Sequence, residues 1–440
     1  MRAQLKHFIE SIGPDSIAII PAAHEATRSY DTEYKFRQDS DFAYLTGFPE
    51  PDAIAVLDPS NKKPYTLYVR PRDPEMETWF GRREGVDGAV KNHKADRALP
   101  IDKFASDLVK LIDGHDKLYY RFGVDEKLDL QILRYLSTQR QRRLKSPYPP
   151  HTIVDPTILI HEMRLHKTPE EVGFMQKAAT ISCEAHILAM QKTKPGMNEF
   201  QVESLIEAYM RENGASGVAY NSIVGGGENA TILHYVENNR PLKNGDLLLV
   251  DAGAEYNGYA ADITRTFPVN GRYSKAQREV YDVVLDVQMQ CIEATKTGNT
   301  VMKRQELSIE LLTEGMKKLG LLKGKTKDLI KKRSFMKYYM HGVGHYLGMD
   351  VHDAGRYFTD QIAKNSRPFA PGMVLTVEPG LYIPPDDKSA PEKYRGIGIR
   401  IEDDVVVTEN GNHNLTAKVP KDPDEIEALM QNGSRKKVLI

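Results

Sequence analysis

Cysteine is almost absent: only Cys183 and Cys291 occur in 440 residues, far apart and both within helical patterns. So sparse a supply excludes a disulfide scaffold and fits a reducing compartment, with both thiols buried and inert. No apolar run approaches the roughly 18 residues needed to span a bilayer. The opening "MRAQLKHFIESIGPD" lacks the apolar core and small-residue cleavage site of a secretory signal. The cytoplasm is therefore the expected location, with no membrane partner. Neither charge is in excess, since Lys+Arg 60 against Asp+Glu 61 leaves a net charge of −1; nothing here suggests nucleic acid. The basic cluster from Arg134 to Lys145, with "RQRR" at its centre, reads as a solvated helix face. Short-period repeats and extended low-complexity segments are also missing.

What remains, 40% hydrophobic and 28% charged residues, describes a globular protein, and 440 residues is too long for one ordinary core. The first third mixes short strand patterns at 16–23, 52–59 and 65–71 with helical stretches. "SPYPPHTIVDP" (146–156), with four prolines, is the expected linker. Beyond it, Thr168 as N-cap, Pro169 at the first helical position and Glu171 closing a capping box open a long helix that ends near Pro195-Gly196. Further helices are predicted from Glu199 to Gly214, from Ser274 to about Gly298, over 304–319, and from Asp422-Pro423 onward. Strand patterns at 246–253, 259–267, 373–378 and 396–408 make the second domain α+β with a mostly antiparallel sheet. The tail "NGSRKKVLI" is expected to be mobile.

One stretch, "VDAGAEYNGYAADITRTF", has strand character yet carries Asp251 and Asp262. Asn257-Gly258 between two apolar runs signals a two-residue hairpin turn, because both positions need φ > 0. With those residues as the loop, Tyr256 faces Tyr259, Gly253 faces Asp262 and Asp251 faces Thr264. Alternation then puts Asp251, Gly253, Asp262 and Thr264 on one face, and Val250, Ala252, Ala261 and Ile263 on the packed face. Two carboxylates held together beside a core repel each other unless something positive lies between them.

Three other stretches add polar groups of the same kind. "MVLTVEPG" projects Val374, Thr376 and Glu378 on one side; "GIGIRIEDDVVV" sets Ile397, Ile399 and Ile401 opposite Gly398, Arg400 and Glu402; "YYMHGVGHYLGMDVHD" carries His341, His345 and His352. His341 and His345 stand at i, i+4, but Gly342 and Gly344 between them argue against a helical metal pair. Taken singly, each acid or histidine reads as solvated or as a satisfied polar group. Together, four carboxylates and an imidazole form an oxygen-rich set suited to two divalent ions, manganese by preference, with cobalt or zinc as alternatives. Two ions about 3.5–4 Å apart can share a bridging carboxylate and activate water for hydrolysis.

The order Asp251, Asp262, His345, Glu378, Glu402, in "DAG…GYAADITRTF", "HGVGHYLGMDVHD", "VLTVEPGLYI" and "GIGIRIEDD", resembles the pita-bread metallopeptidases of the methionine aminopeptidase and prolidase clan. Within that clan the chain is most similar to aminopeptidase P, which hydrolyses Xaa-Pro bonds. "TRSYDTEYKFRQDSDFAYLTGF", "ETWFGRREG", "HEMRLHKTPEE" and "YNSIVGGGENATILHY" extend the resemblance over nearly the whole chain. It implies an α/β amino-terminal domain (1–160) followed by a carboxy-terminal pita-bread (creatinase/aminopeptidase) domain (161–440), the whole being α+β.

The resemblance also implies roles. Asp251 would bind one ion, His345 and Glu378 the other, and Asp262 and Glu402 both. Glu378 would double as general base. His234, His341 and His352 would line the site, with His352 facing the developing oxyanion. Arg400 would orient the acidic ligands, and Tyr382 would assist proton transfer near the leaving nitrogen. Tyr220, Asp31 and Trp79 would serve on the substrate side. Without the family, His234 in "ILHY" reads as an interior polar residue, and the lone Trp79 as core. In the family the matching tryptophan reaches a neighbouring subunit's site, so a homo-oligomer, tetramer or dimer, is expected, acting on peptides with proline second. Competing readings are a prolidase restricted to Xaa-Pro dipeptides, a metal-free amidinohydrolase of the creatinase kind, and a silent binding module. The full five-ligand set disfavours the last two. The segment Arg356–Ala370 matches no part of the family pattern.

Overall fold

The computed structural model describes residues 2–141, 148–360 and 362–435. The last third of the basic cluster and the end of the tail fall outside them. Two compact units make up the chain, Met1–Arg164 and Leu165–Ile440.

In the first unit the strands are short apolar runs, "SIAIIP", "IAVL" and "YTLYV", in which nearly every residue is buried. That is the pattern of strands covered on both faces. The six-stranded sheet runs Arg97–Pro100, Tyr65–Val69, Ile54–Leu57, Ser16–Pro21, Lys117–Tyr119, Thr152–Val154. Ile54–Leu57 is antiparallel to both neighbours and the other pairings are parallel. The expected linker needs correcting: Thr152–Val154, in its second half, pairs with Lys117–Tyr119 as an edge strand. It occupies the proline-free gap between Pro150 and Pro156 and brings two β-branched residues beside Thr152 into the sheet. A helix, Thr157–Leu165, follows before the second unit begins.

The second unit is antiparallel throughout its described strand pairings. Three-stranded sheets form from Ile223–Gly226, Leu247–Asp251 and Thr264–Pro268, and from Val374–Val377, Asp403–Thr408 and Gly411–Asn414. Gly380–Tyr382 pairs with Gly398–Arg400. The predicted helices appear as Pro169–Lys192, Glu199–Glu212, Lys275–Ala294, Val301–Lys318 and Pro423–Arg435. The capping box at Thr168 and Glu171 forms as expected, and Ser274 with Gln277 makes another. Cys183 and Cys291 are free thiols inside the main core. Among the described residues no helix is long and apolar enough to cross a membrane.

Candidate active site

The hairpin forms in the expected register. Asn257 and Gly258 have φ of 50° and 78°, and Tyr256 pairs with Tyr259. The Ala261 amide donates to Ala254 O (3.0 Å) and the Ala252 amide to Ile263 O (3.0 Å), while Asp251 pairs with Thr264. Gly253 is required here, since a Cβ would sit 1.7 Å from Ala261 O. Val250, Ala252, Ala261 and Ile263 are fully buried on the far face. On the near face the Tyr220 hydroxyl lies 2.5 Å from both Asp251 Oδ1 and Asp262 Oδ1. A phenol has one proton and can donate to only one of them at a time. The second contact calls for a protonated carboxyl or a cation, because burial keeps the Tyr220 phenol neutral.

The remaining acids and histidines arrive on separate elements. A Cβ at Gly344 would meet Thr376 O at 2.0 Å, so the 342–345 segment runs flat against the Val374–Val377 strand and is not helical. The His345 amide donates to Thr376 Oγ1 (3.1 Å). Its Nδ1 pairs with Tyr346 O (2.9 Å), which leaves Nε2 facing Asp262 Oδ2 at 3.5 Å and Glu378 Oε1 at 3.7 Å. Glu378 follows its strand directly, its amide bonded to Val343 O. The Glu402 amide donates to Thr264 O (3.0 Å), and the Thr264 hydroxyl donates to Glu402 Oε2 (2.6 Å). Ligand atoms of Asp262, His345 and Glu402 all lie within 4.8 Å of one another.

Arg400 ties this set to its surroundings. Nη2 donates to Asp251 Oδ2 (2.5 Å), Nε to Thr264 Oγ1 (3.1 Å) and Nη1 to the Tyr382 hydroxyl (3.0 Å). Tyr382 in turn meets His341 Nε2 at 2.9 Å. The His352 ring stands edge-on to His345, centroids 4.4 Å apart. The acids, Arg400 and the three histidines line a cavity of about 530 Å³ with Ile223, Leu233, Val236 and Val351 along its apolar side. His234 is also on the wall, and it is exposed rather than interior.

Burial, reinforced by neighbouring acids, pushes the carboxyls of Asp251 and Glu402 up and that of Glu378 to about 7. Asp262 goes the other way: burial opposes its charge, but His345 holds it below the usual carboxylate range. His345 rises to about 9 despite burial, through Asp262 and Glu378, while burial lowers His341 to about 4. Carboxyls that resist ionising, one shared phenol proton and a converging imidazole are what a divalent cation would relieve; the donor set fits such an ion.

Two features had escaped sequence reasoning. Asp404 Oδ2 accepts the Asp262 amide (3.0 Å), and burial raises the Asp404 carboxyl well above its ordinary range. Behind the site, Arg265 donates to the backbone oxygens of Glu402 (2.5 Å) and Thr264 (3.0 Å) and pairs with Asp403 (2.7 Å), which Lys421 also contacts at 2.6 Å. The signal was present in "EDD" heading an otherwise apolar strand. Asp31 and Trp79 are not part of this constellation. Both lie in the first unit, Asp31 in an exposed turn between short strands and Trp79 on the Pro74–Phe80 helix with 78% of its surface exposed. The core reading of Trp79 is thereby corrected: no residue of that helix is buried.

Two family profiles match the chain, "Aminopeptidase P, N-terminal domain" over residues 1–120 and "Metallopeptidase family M24" over residues 173–409. The chain is 46% identical to the Xaa-Pro aminopeptidase of Escherichia coli strain K12 over 424 residues, 96% of this chain and 95% of that protein. It superposes on the aminopeptidase PepP of Pseudomonas aeruginosa with a TM-score of 0.95 and 44% identity, covering 98% of each chain. Against zinc-substituted E. coli aminopeptidase P in complex with product, the TM-score is 0.93 at 46% identity, over 99% and 98% of the two chains. The α+β architecture, with its pita-bread carboxy-terminal domain, is shared with these proteins.

Proposed function

This chain belongs to metallopeptidase family M24, and from that premise we propose that it removes the first residue from peptides with proline second. The observation that carries the reading is the meeting of Asp251, Asp262, His345, Glu378 and Glu402 from separate elements at one cavity. Those five would hold two divalent ions, manganese by preference, because four carboxylates with a single imidazole form a hard donor set. The chemistry supplied by ions at these positions would be polarisation of the scissile carbonyl and activation of water.

The chain's own groups account for the rest. An Xaa-Pro bond is a tertiary amide without an N–H, so it cannot be gripped through a backbone donor. Glu378, which lines the cavity beside the other acids, would take a proton from water and return it to the leaving proline nitrogen. Arg400 holds Asp251 by a charge-assisted bond and fixes Tyr382, which in turn orients His341. His352, exposed beside His345, would meet the substrate carbonyl. The apolar wall of Ile223, Leu233, Val236 and Val351 would take substrate side chains.

The exposed Trp79, beside exposed Phe80, suits contact with another subunit, so a homo-oligomer, tetramer or dimer, working in the cytoplasm completes the reading. Hydrolysis of Arg-Pro-Pro against Gly-Pro, with and without manganese, tests it. Turnover of the tripeptide that depends on metal supports the aminopeptidase; cleavage of the dipeptide alone would make it a prolidase.

A further inference from the structure

Lys167 and Asp353 form an ion pair of 2.8 Å whose side chains are each only 1% exposed. A pair so deeply buried gives little net stability, because desolving two charges offsets their attraction and well-packed apolar residues do as well. Its geometry suggests a different use. Lys167 lies between the end of one helix at Leu165 and Thr168, the N-cap of the next. Its amide donates to Gly372 O (2.9 Å), so the direction of its side chain is set by the backbone. Asp353 closes the loop that begins at the ligand His345. Its amide donates to Tyr346 O (2.9 Å), Oδ1 accepts the Asp350 amide (3.3 Å), and Oδ2 takes the Lys167 ammonium. A Cβ at Gly348 would lie 2.2 Å from Asp353 Oδ2 and 2.9 Å from Lys167 Cε. The loop is thus packed directly onto the pair.

His352 is the residue before Asp353, and Val351 before it lines the cavity with His352. Among the described residues no hydrogen bond is made by the His352 ring, which stands edge-on to the ring of His345. Its placement therefore depends on the backbone at Asp353. We infer that Lys167 and Asp353 are positioning residues: the buried pair fixes the 346–353 loop so that His352 points into the cavity. This inference rests on the hydrolase reading and adds residues to it that touch neither substrate nor ion.

The test uses the full-length, metal-loaded protein and an Xaa-Pro tripeptide. Wild-type turnover checks the function itself, so its absence would sink that reading and not this one alone. Lys167→Met leaves a buried carboxylate unpaired and should lower both the melting temperature and kcat. The double variant Lys167→Met/Asp353→Leu removes both charges. It should melt within a few degrees of wild type with unchanged metal content, yet lose kcat by about 10-fold to 10²-fold, as a catalytic group displaced by ~1 Å would. Lys167→Arg should recover part of that loss. The triple variant with His352→Ala should be no slower than His352→Ala alone, because the pair acts through that ring. Wild-type kcat in a folded double variant, or full additivity with His352→Ala, would overturn the inference. If the double variant does not fold, Asp353→Asn, which keeps the acceptor for the Asp350 amide, carries the same comparison with His352→Ala.

Discussion

In the first unit the described residues bury a single charged pair, Arg164 with Asp41 at 2.6 Å, and leave His24, Asp52 and Asp125 to pair at the surface. Around its cavity the second unit instead buries Asp251, Asp262, Glu402, Asp403 and Asp404 against Arg265 and Arg400. Both have ordinary apolar cores, so stability does not require that concentration of acid. The difference teaches where selection for chemistry has overridden selection for folding: in the second unit, carboxylates stand where an apolar residue would cost less.

The sharpest way to break this comparison is to remove divalent cations. Chelation should abolish turnover. It should also give the second unit an unusual pH dependence, because Glu378, Asp251 and Glu402 have raised carboxyls. A raised carboxyl binds its proton more tightly in the folded state, so stability falls as pH rises from about 4.5, the unfolded value, to about 7. Calorimetry of the chelated protein should show its thermal transition dropping above about pH 6.5, where His341, lowered to about 4, no longer contributes in the opposite sense, and manganese should restore it. A transition that is flat or rises with pH there would contradict the assignment of strain to these acids.

Glu378→Gln keeps the shape but removes the proposed base, and kcat should fall by at least about 10²-fold. A variant that retains metal and near-normal kcat would take Glu378 out of that role. A smaller effect, on stability, is expected behind the site. Arg265→Met leaves Lys421 as the one cation paired with buried Asp403 among the described residues, which should cost about 3–5 kcal/mol by urea denaturation. A loss below about 1 kcal/mol would show that the clamp on Thr264 and Glu402 is dispensable. Least perturbing to the fold should be Trp79→Ala in the first unit. With 78% of the side chain exposed, the melting temperature should hardly move while KM for tripeptides rises. A core tryptophan would lose about 3–5 kcal/mol on truncation; a loss of that size, or a monomer by light scattering, would remove the proposed subunit contact.

Much of this site was legible because it is written in local rules. Asn257-Gly258 fixes the hairpin register, and alternation then puts Asp251 and Asp262 on one face, as found. The two-glycine spacing in "HGVGH" correctly ruled out a helix. Strand continuity was harder to read. The 259–267 and 396–408 patterns each break in the middle, at Ala261–Ile263 and Ile401–Glu402, because backbone donors there leave the ladder. The Asp262 amide goes to the Asp404 carboxyl and the Glu402 amide crosses to Thr264 O. Periodicity reports which face a residue takes and is silent about such exchanges. Tyr220, expected on the substrate side, lines the cavity and also bonds both aspartates, a contact set by residues far along the chain. The edge strand Thr152–Val154 was hidden by the prolines around it.

The tight turn at Asn257-Gly258 also sets an order of events. Hairpins close in about 1–10 μs, far faster than distant segments find one another. During synthesis at about 5–20 residues per second, Asp251 and Asp262 emerge together, whereas His345, Glu378 and Glu402 follow on the order of seconds later. For that interval the nascent chain carries the two acids side by side, with Tyr220 already made but the Arg400 guanidinium not yet available. Protons or free cations must neutralise the acid pair until the later strands dock, so the slow stage of this fold is the arrival of the residues that make the hairpin an enzyme.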